Sequence, residues 1–179
     1  MGRCLRRWYL ELWPLKLEDK NSFDRAYVDF VRSNPDWEFA FDYDTAMDFA
    51  GFLARLDELK AGVSLNVGQV PSSYLMAVVG SEIVGRVSIR HELNDSLRVR
   101  GGHIGYGVVE GWRRKGIASA MLGLTLDVVR GMGLRDVLLT CADDNPGSFK
   151  VIEKWGGVLE GVFEYDGALV RNYWIHLGD

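Results

Sequence analysis

Apolar and polar positions recur along this chain with enough regularity to predict most of its elements. Trp8 to Trp13 partly alternates and predicts a first strand that runs on raggedly to Leu17. Phe23, Ala26, Tyr27, Phe30 and Val31 return at helical spacing, Asn21 or Ser22 can cap them, and Asn34-Pro35 ends the helix. Trp37, Phe39, Phe41 and Tyr43 share one parity, which fits an extended loop or a short strand. A second helix is expected from Asp44 or Thr45, with Ala46, Met47, Phe49, Ala50, Leu53, Leu56 and Leu59 as its apolar stripe and Gly62 as its end. After a polar loop to Pro71, Tyr74 to Val79 and Ile83 to Ile89 flank Gly80-Ser81-Glu82 and predict a β-hairpin.

His91 to Arg100 is a polar connection, and beyond it lies the stretch around which the chain is organised, Gly101 to Ala118. It predicts a buried strand, a tight basic turn and the start of an apolar helix that continues through Met121, Leu122, Leu124, Leu126, Val128 and Val129 to Gly131 or Gly133. Where a strand turns into a helix, amide N–H groups converge, and the helix dipole with Arg113, Arg114 and Lys115 favours an anion. A phosphorylated ligand is the expectation. Val137 to Cys141 is then a strand, Asn145-Pro146-Gly147 a turn, Ser148 to Trp155 a short helix closed by Gly156-Gly157, and Val158 to Tyr165 with Leu169 to Leu177 a hairpin around Asp166-Gly167. This order predicts an α/β (α+β) fold with a mixed sheet of six to seven strands and about four helices.

Composition narrows the class without changing the fold. A chain of 179 residues suits one domain, 1–179, with an acceptor-side part over 1–72 and a core over 73–179. Its 47% hydrophobic and 26% charged residues exclude global disorder. A net charge of −4 argues against a surface built for nucleic acid. Cys4 and Cys141 stand far apart, which suggests neither a disulfide framework nor a zinc site, and the cytoplasm is the expected compartment. The chain has no signal-peptide core after its N-terminal arginines and no apolar run of about 18 residues, so no membrane partner is expected.

Arg113-Arg114-Lys115-Gly116-Ile117-Ala118 fits the pattern Gln/Arg-x-x-Gly-x-Gly/Ala, and Asn145-x-x-Ser148 with Glu153-Lys154-Trp155-Gly156 follows at a fitting distance. In these segments the chain resembles the GNAT superfamily of acyl-CoA-dependent N-acyltransferases. The resemblance covers residues 74 to 177; the first 70 match only in element order. It implies a GNAT-like sheet, acetyl-CoA as acyl donor, and direct attack by a primary amine on the thioester. It assigns Arg113, Arg114, Lys115, Gly116, Ile117, Ala118 and Ser119 to the pyrophosphate, Val108 and Val109 to the pantetheine arm, and Asn145 and Ser148 to the opposite wall. Gly116 would let the backbone approach the phosphates, where a β-carbon would intrude.

The amine must be neutral to attack, so a base near neutrality is useful. Among His91, His103 and His176 no pair has metal-ligand spacing, and no metal is expected. His103, a few residues before the pantetheine contact, is the expected base; the alternative is a strand-end histidine paired with the backbone, with His91 and Glu92 in reserve. The chain departs from its relatives at Ile152, where many carry a tyrosine that protonates the leaving thiolate. Tyr106 and Tyr173 are the replacements on offer, unless a thiol of pKa about 8.5 leaves unaided. Glu18 to Asp48 holds nine acidic residues against three basic ones, which fits a cationic acceptor or a solvated face.

Other nucleotide folds fail on their motifs: Gly105-x-Gly107 lies inside a strand, no Gly-Lys-Ser/Thr follows a loop, and no Gly-x-Ser-x-Gly occurs. The alternative function is a catalytically silent acyl-CoA-binding module of the same fold. Leu169, Val170, Tyr173, Trp174 and Ile175 serve either a homodimer edge or the core.

Overall fold

The computed structural model describes residues 9–35, 37–40, 43 and 45–178. Cys4, Trp8, Phe41 and Asp44, and Asp36 and Asp42 among the nine acids counted above, lie outside the described residues. Seven strands form two sheets. In the first, β1 (Leu10–Pro14), β2 (Ser72–Val79), β3 (Glu82–Arg90) and β4 (Ile104–Val108) lie in chain order. In the second, β7 (Ala168–His176) lies between β5 (Asp136–Ala142) and β6 (Val158–Tyr165). Every hydrogen-bonded strand pair among the described residues is antiparallel. The seven strands and the α/β class hold; the single sheet expected from the sequence is divided between β4 and β5.

The helices are α1 (Lys20–Ser33), α2 (Phe49–Ala61), α3 (Asp95–Val99), α4 (Ile117–Gly131) and α5 (Pro146–Lys154). α2 begins three residues later than the apolar stripe predicts, because the Asp48 carboxylate accepts the N–H groups of Ala50 and Gly51 at 3.2 and 3.3 Å. Gly62 ends it in the left-handed region at φ 73°, as expected. α3 is a single turn capped by Asn94 in what the sequence presents as a polar connection. Asn145, taken as a turn residue, is the cap of α5, with Pro146 in its first turn.

Two apolar cores follow from the strand alternation. One packs Val87, Ile89 and Ile104 with Met121, Leu122 and Val129 of α4 and with Leu139, Tyr173 and Ile175 of the second sheet. The other lies on the opposite face of the first sheet, where Phe23 and Phe30 of α1 and Phe49 and Phe52 of α2 meet Tyr74 and Met76. Phe39 and Tyr43 enter that second core from a loop rather than a strand. Of the final hairpin, Val170, Tyr173 and Ile175 are core, Trp174 is half-buried and Leu169 is exposed. The edge strand β6 is exposed almost throughout.

The sheets meet at one end of β4. Gly101 and Gly102 run at φ 117° and 61°, and a β-carbon on Gly102 would stand 2.3 Å from the carbonyl oxygen of Leu138. Only glycine permits that approach. From this contact the strands diverge, and His103 N–H to Leu138 O, 2.7 Å, is the only backbone hydrogen bond crossing there among the described residues.

Candidate active site

The split between β4 and β5 exposes an edge of β4. Arg90 N–H to His103 O and Val109 N–H to Val84 O bracket the β3–β4 ladder at odd-numbered residues of β4's side, in constant register. Strand alternation therefore turns the N–H groups of Tyr106 and Val108 away from β3, toward the split. The Val108 carbonyl on that edge accepts from Arg113 Nε at 3.1 Å, and both backbone groups of Val109 are engaged, its N–H by Val84 and its carbonyl by Trp112 N–H. Of the two valines, Val108 alone turns a free-standing N–H toward the split.

The basic turn follows. A 3-10 turn over Glu110–Trp112 leads to Arg113 in extended conformation, then Arg114 at φ 58° and Gly116 at φ 84° cap α4. Nothing lies within 4 Å of the place a Gly116 β-carbon would occupy. Glycine is needed here for its backbone conformation, and the space over the first turn of α4 is open. The N–H groups of that turn have no intrahelical acceptor, and no side chain caps them. This open, uncapped turn lies where the sequence predicts an anion site.

The three cations divide by what they touch. Arg113 folds inward, bonding Val108 O and, through Nη2, Ser33 Oγ of α1 at 3.1 Å. Lys115 Nζ reaches the Gly111 carbonyl at 2.6 Å and lies 5.1 Å from the Trp112 ring. Arg114 is exposed and bonds no described side chain or carbonyl. Sequence spacing treats the three alike; only the fold separates a buttress from a free charge.

α5 closes the other side. Asn145 Oδ1 accepts Ser148 N–H at 3.1 Å, so this side chain holds its own helix. Tyr106 Oη donates to the Ser148 carbonyl at 3.4 Å, spanning the split, and burial pushes its hydroxyl pKa up to about 12. At the far end of α5, Trp155 Nε1 donates to Ser119 O at 2.8 Å and Lys154 Nζ to Ser119 Oγ at 2.9 Å. The Trp155 ring fills the place of a side chain at Gly123. This clasp on the first turn of α4 was not visible in the sequence, although the small residues Ser119 and Gly123, one helical turn apart, are its signal.

His103, expected as the base, has its Nδ1 engaged rather than open to an amine. Leu138 N–H donates to its Nδ1 at 2.9 Å, and an amide can only donate, so the neutral ring carries its proton on Nε2 and its lone pair is spent. Burial, then Arg98 and Arg90, push its pKa below the usual histidine value. His91 faces β2 instead, with Nε2 2.9 Å from Ser73 Oγ, one strand removed from the split. Ile152 is a core residue, and Tyr173, fully buried, donates to Glu153 Oε1 at 2.9 Å. Four of the described acids counted toward a cationic acceptor are engaged within the fold: Asp19 with Lys16 N–H, Asp24 with Lys20 and Tyr43, Asp29 with Arg32, and Asp48 at the cap of α2. Among the described residues no cluster of metal-ligating side chains occurs, and no helix is long and apolar enough to cross a membrane.

This architecture of split sheet, glycine-capped helix and spanning tyrosine is that of an acyl-transfer fold, and comparison with known proteins bears on it directly. Solved structures with the same fold include Mycobacterium smegmatis RimJ in complex with CoA-disulfide, 22% identical, TM-score 0.70, covering 93% of this chain and 81% of that one. The ribosomal-protein-S5-alanine acetyltransferase of Vibrio fischeri is 19% identical, TM-score 0.71, covering 96% and 94%. The microcin C7 self-immunity acetyltransferase MccE, in complex with acetyl-CoA and AMP, is 17% identical, TM-score 0.68, covering 98% and 96%. No curated protein matches the sequence at a significant level. The model of the acetyltransferase (GNAT) family matches residues 29–157. The chain belongs to that family and is an acyltransferase.

Proposed function

We propose that this protein transfers the acetyl group of acetyl-CoA to a primary amine by direct attack within a ternary complex. The single observation that carries the reading is the open first turn of α4, its N–H groups uncapped beyond Gly116, at the foot of a split whose β4 edge offers the Val108 N–H. The relatives solved with CoA-disulfide and with acetyl-CoA support the choice of donor.

The N–H groups of Ile117, Ala118 and Ser119 receive the pyrophosphate, with Arg114 adding charge from the rim. Arg113 fixes the height of the turn by tying Val108 to α1. Val108 N–H polarises the thioester carbonyl from a backbone position. The amine nitrogen forms a bond to that carbonyl carbon while the carbon–sulfur bond breaks, and Tyr106 gives its proton to the departing sulfur, regaining one from the acylated nitrogen. A hydroxyl held near pKa 12 stays protonated for that task throughout the neutral range. With His103 committed to Leu138, the incoming ammonium loses its proton to solvent before attack.

The second reading, a silent acyl-CoA-binding module, draws on the buried Ile152. Calorimetry with acetyl-CoA together with free-thiol release against an amine panel separates the two. Binding with release from at least one amine supports transfer; binding without release favours the silent module; no binding overturns the cofactor reading.

A further inference from the structure

Residues opposite one another in an antiparallel ladder share a face, so Arg86, Ser88 and Arg90 of β3 stand with Gly105 and Gly107 of β4 on the face that α1 and α2 cover. Apart from Ser72, opposite Arg90 on β2, that face is otherwise apolar. Arg86 is 5% exposed, yet its Nε has no hydrogen-bond partner; its Nη1 donates to Ser88 Oγ at 2.9 Å and its Nη2 to the Glu38 carbonyl at 2.5 Å. Arg90, half-buried at the strand end, donates from Nη1 to the carbonyl of Gly101 at 3.0 Å. Among the described residues neither guanidinium has a carboxylate within ion-pair distance.

Four residues apart on a strand, their backbones are about 13 Å apart, and like charges left to themselves would lean away from each other. These converge. Nη1 of Arg90 and Nη1 of Arg86 stand 3.2 and 3.7 Å from the point a Gly105 β-carbon would fill, and Ser88 Oγ is 2.9 Å from it. Each guanidinium is held there by neutral oxygens alone, and Trp37 shields Arg86 from water at 4.1 Å. A buried and a half-buried positive charge brought together are costly unless something anionic completes them; among the described residues only Glu38 and Tyr74 act on Arg86 electrostatically, neither as an ion pair in contact, and no acid does so on Arg90. Burial, and behind it Arg86, pushes Arg90 down to about 10, which agrees with an uncompensated pair.

We propose that Arg86, Ser88 and Arg90 form an anion subsite that receives a carboxylate carried by the acceptor amine. The inference rests on the reading of the β4 edge as the place of the thioester, since Gly105 lies next to Tyr106 on that strand. A planar carboxylate suits the paired N–H groups of a guanidinium, and the half-buried Arg90 is its route in. Acceptor choice therefore follows the buried cations of the sheet rather than the surface acids of the first helices.

The test compares matched amines, glycine with glycinamide and β-alanine with ethylamine, by kcat/KM, and titrates N-acetylglycine as a blocked carboxylate. Wild-type protein should prefer the carboxylate of each pair by at least about tenfold, and Arg90→Gln should collapse that ratio toward one. Arg90→Lys should restore part of it, and Arg86→Met is the second variant, since loss of the buried guanidinium can also unsettle the fold. Equal rates, or preference for the partners without a carboxylate, overturn the proposal. Absence of thiol release with every amine counts against acetyl transfer itself, and N-acetylglycine then decides: binding weakened at least about tenfold in Arg90→Gln supports the subsite, and no binding to wild type overturns it.

Discussion

His103 and Leu138 exchange two hydrogen bonds, His103 N–H to Leu138 O at 2.7 Å and Leu138 N–H to His103 Nδ1 at 2.9 Å. One residue thus closes both a donor and an acceptor where the segment leading into β4 meets β5. His103→Ala leaves the buried Leu138 N–H without an acceptor and should cost about 1–3 kcal/mol in urea unfolding. A rate profile for acetyl transfer that keeps its shape in the variant is the matching kinetic expectation; loss of a limb near neutrality would return His103 to the chemistry.

The same contact has a pH signature. With its folded pKa lowered, His103 stays neutral in the folded chain where the unfolded chain takes up a proton. Its contribution is full above about pH 6.5 and is lost as pH falls from there toward the lowered folded value. Unfolding measured from about pH 7.5 to about pH 5 should show stability falling with acid, and falling less steeply in His103→Ala. Some slope persists through His91, which is lowered by burial and Lys60.

Arg113 joins Val108 O to Ser33 Oγ through two different nitrogens. Arg113→Lys keeps the charge but cannot make both bonds, so it should raise the KM for acetyl-CoA nearly as much as Arg113→Met, by roughly tenfold. Arg114→Ala should give a smaller rise that shrinks further as salt is added. Equal, salt-sensitive effects at both positions would show Arg113 to be a plain charge.

Gly116→Ala meets no neighbour but must adopt φ 84°, which costs an L-residue about 1–2 kcal/mol. The turn should relax by moving the first amides of α4, so affinity for acetyl-CoA should fall more than thermal stability does. Calorimetry and melting on the same preparation check this, and a fall in stability alone would place the phosphates elsewhere.

Tyr106→Phe removes a hydroxyl that crosses the split while keeping the ring in its packing. A drop in kcat of about 10–100-fold with an unchanged KM for acetyl-CoA is expected. An unchanged kcat would mean that the thiolate leaves without help.

Much of this architecture was legible because it is written locally. Both hairpins follow from glycine turns between apolar runs, and α4 follows from a stripe ended by Gly131 and Gly133. The uncapped, glycine-started turn of α4 follows too, because it is built from consecutive residues. What escaped depends on partners far along the chain. Leu138, 35 positions from His103, decides that histidine's tautomer, and Ser33, 80 positions from Arg113, decides which way that arginine points. The late start of α2 escaped for another reason: apolar periodicity continues through Ala46 and Met47, but the Asp48 carboxylate stops the helix from extending back over them.

β6 carries apolar side chains on both of its faces, and because a bulge between Leu159 and Gly161 shifts the register, Val158, Phe163 and Tyr165 lie on one face and Leu159 and Val162 on the other, all exposed. Its outer rim of unpaired backbone groups is a template on which any extended chain could add a further strand. Glu160 and Glu164 alone interrupt it with charge, spaced so that no four consecutive residues are neutral between them and the turn. These two carboxylates act as gatekeepers of solubility, guarding the strand that the rest of the fold leaves uncovered.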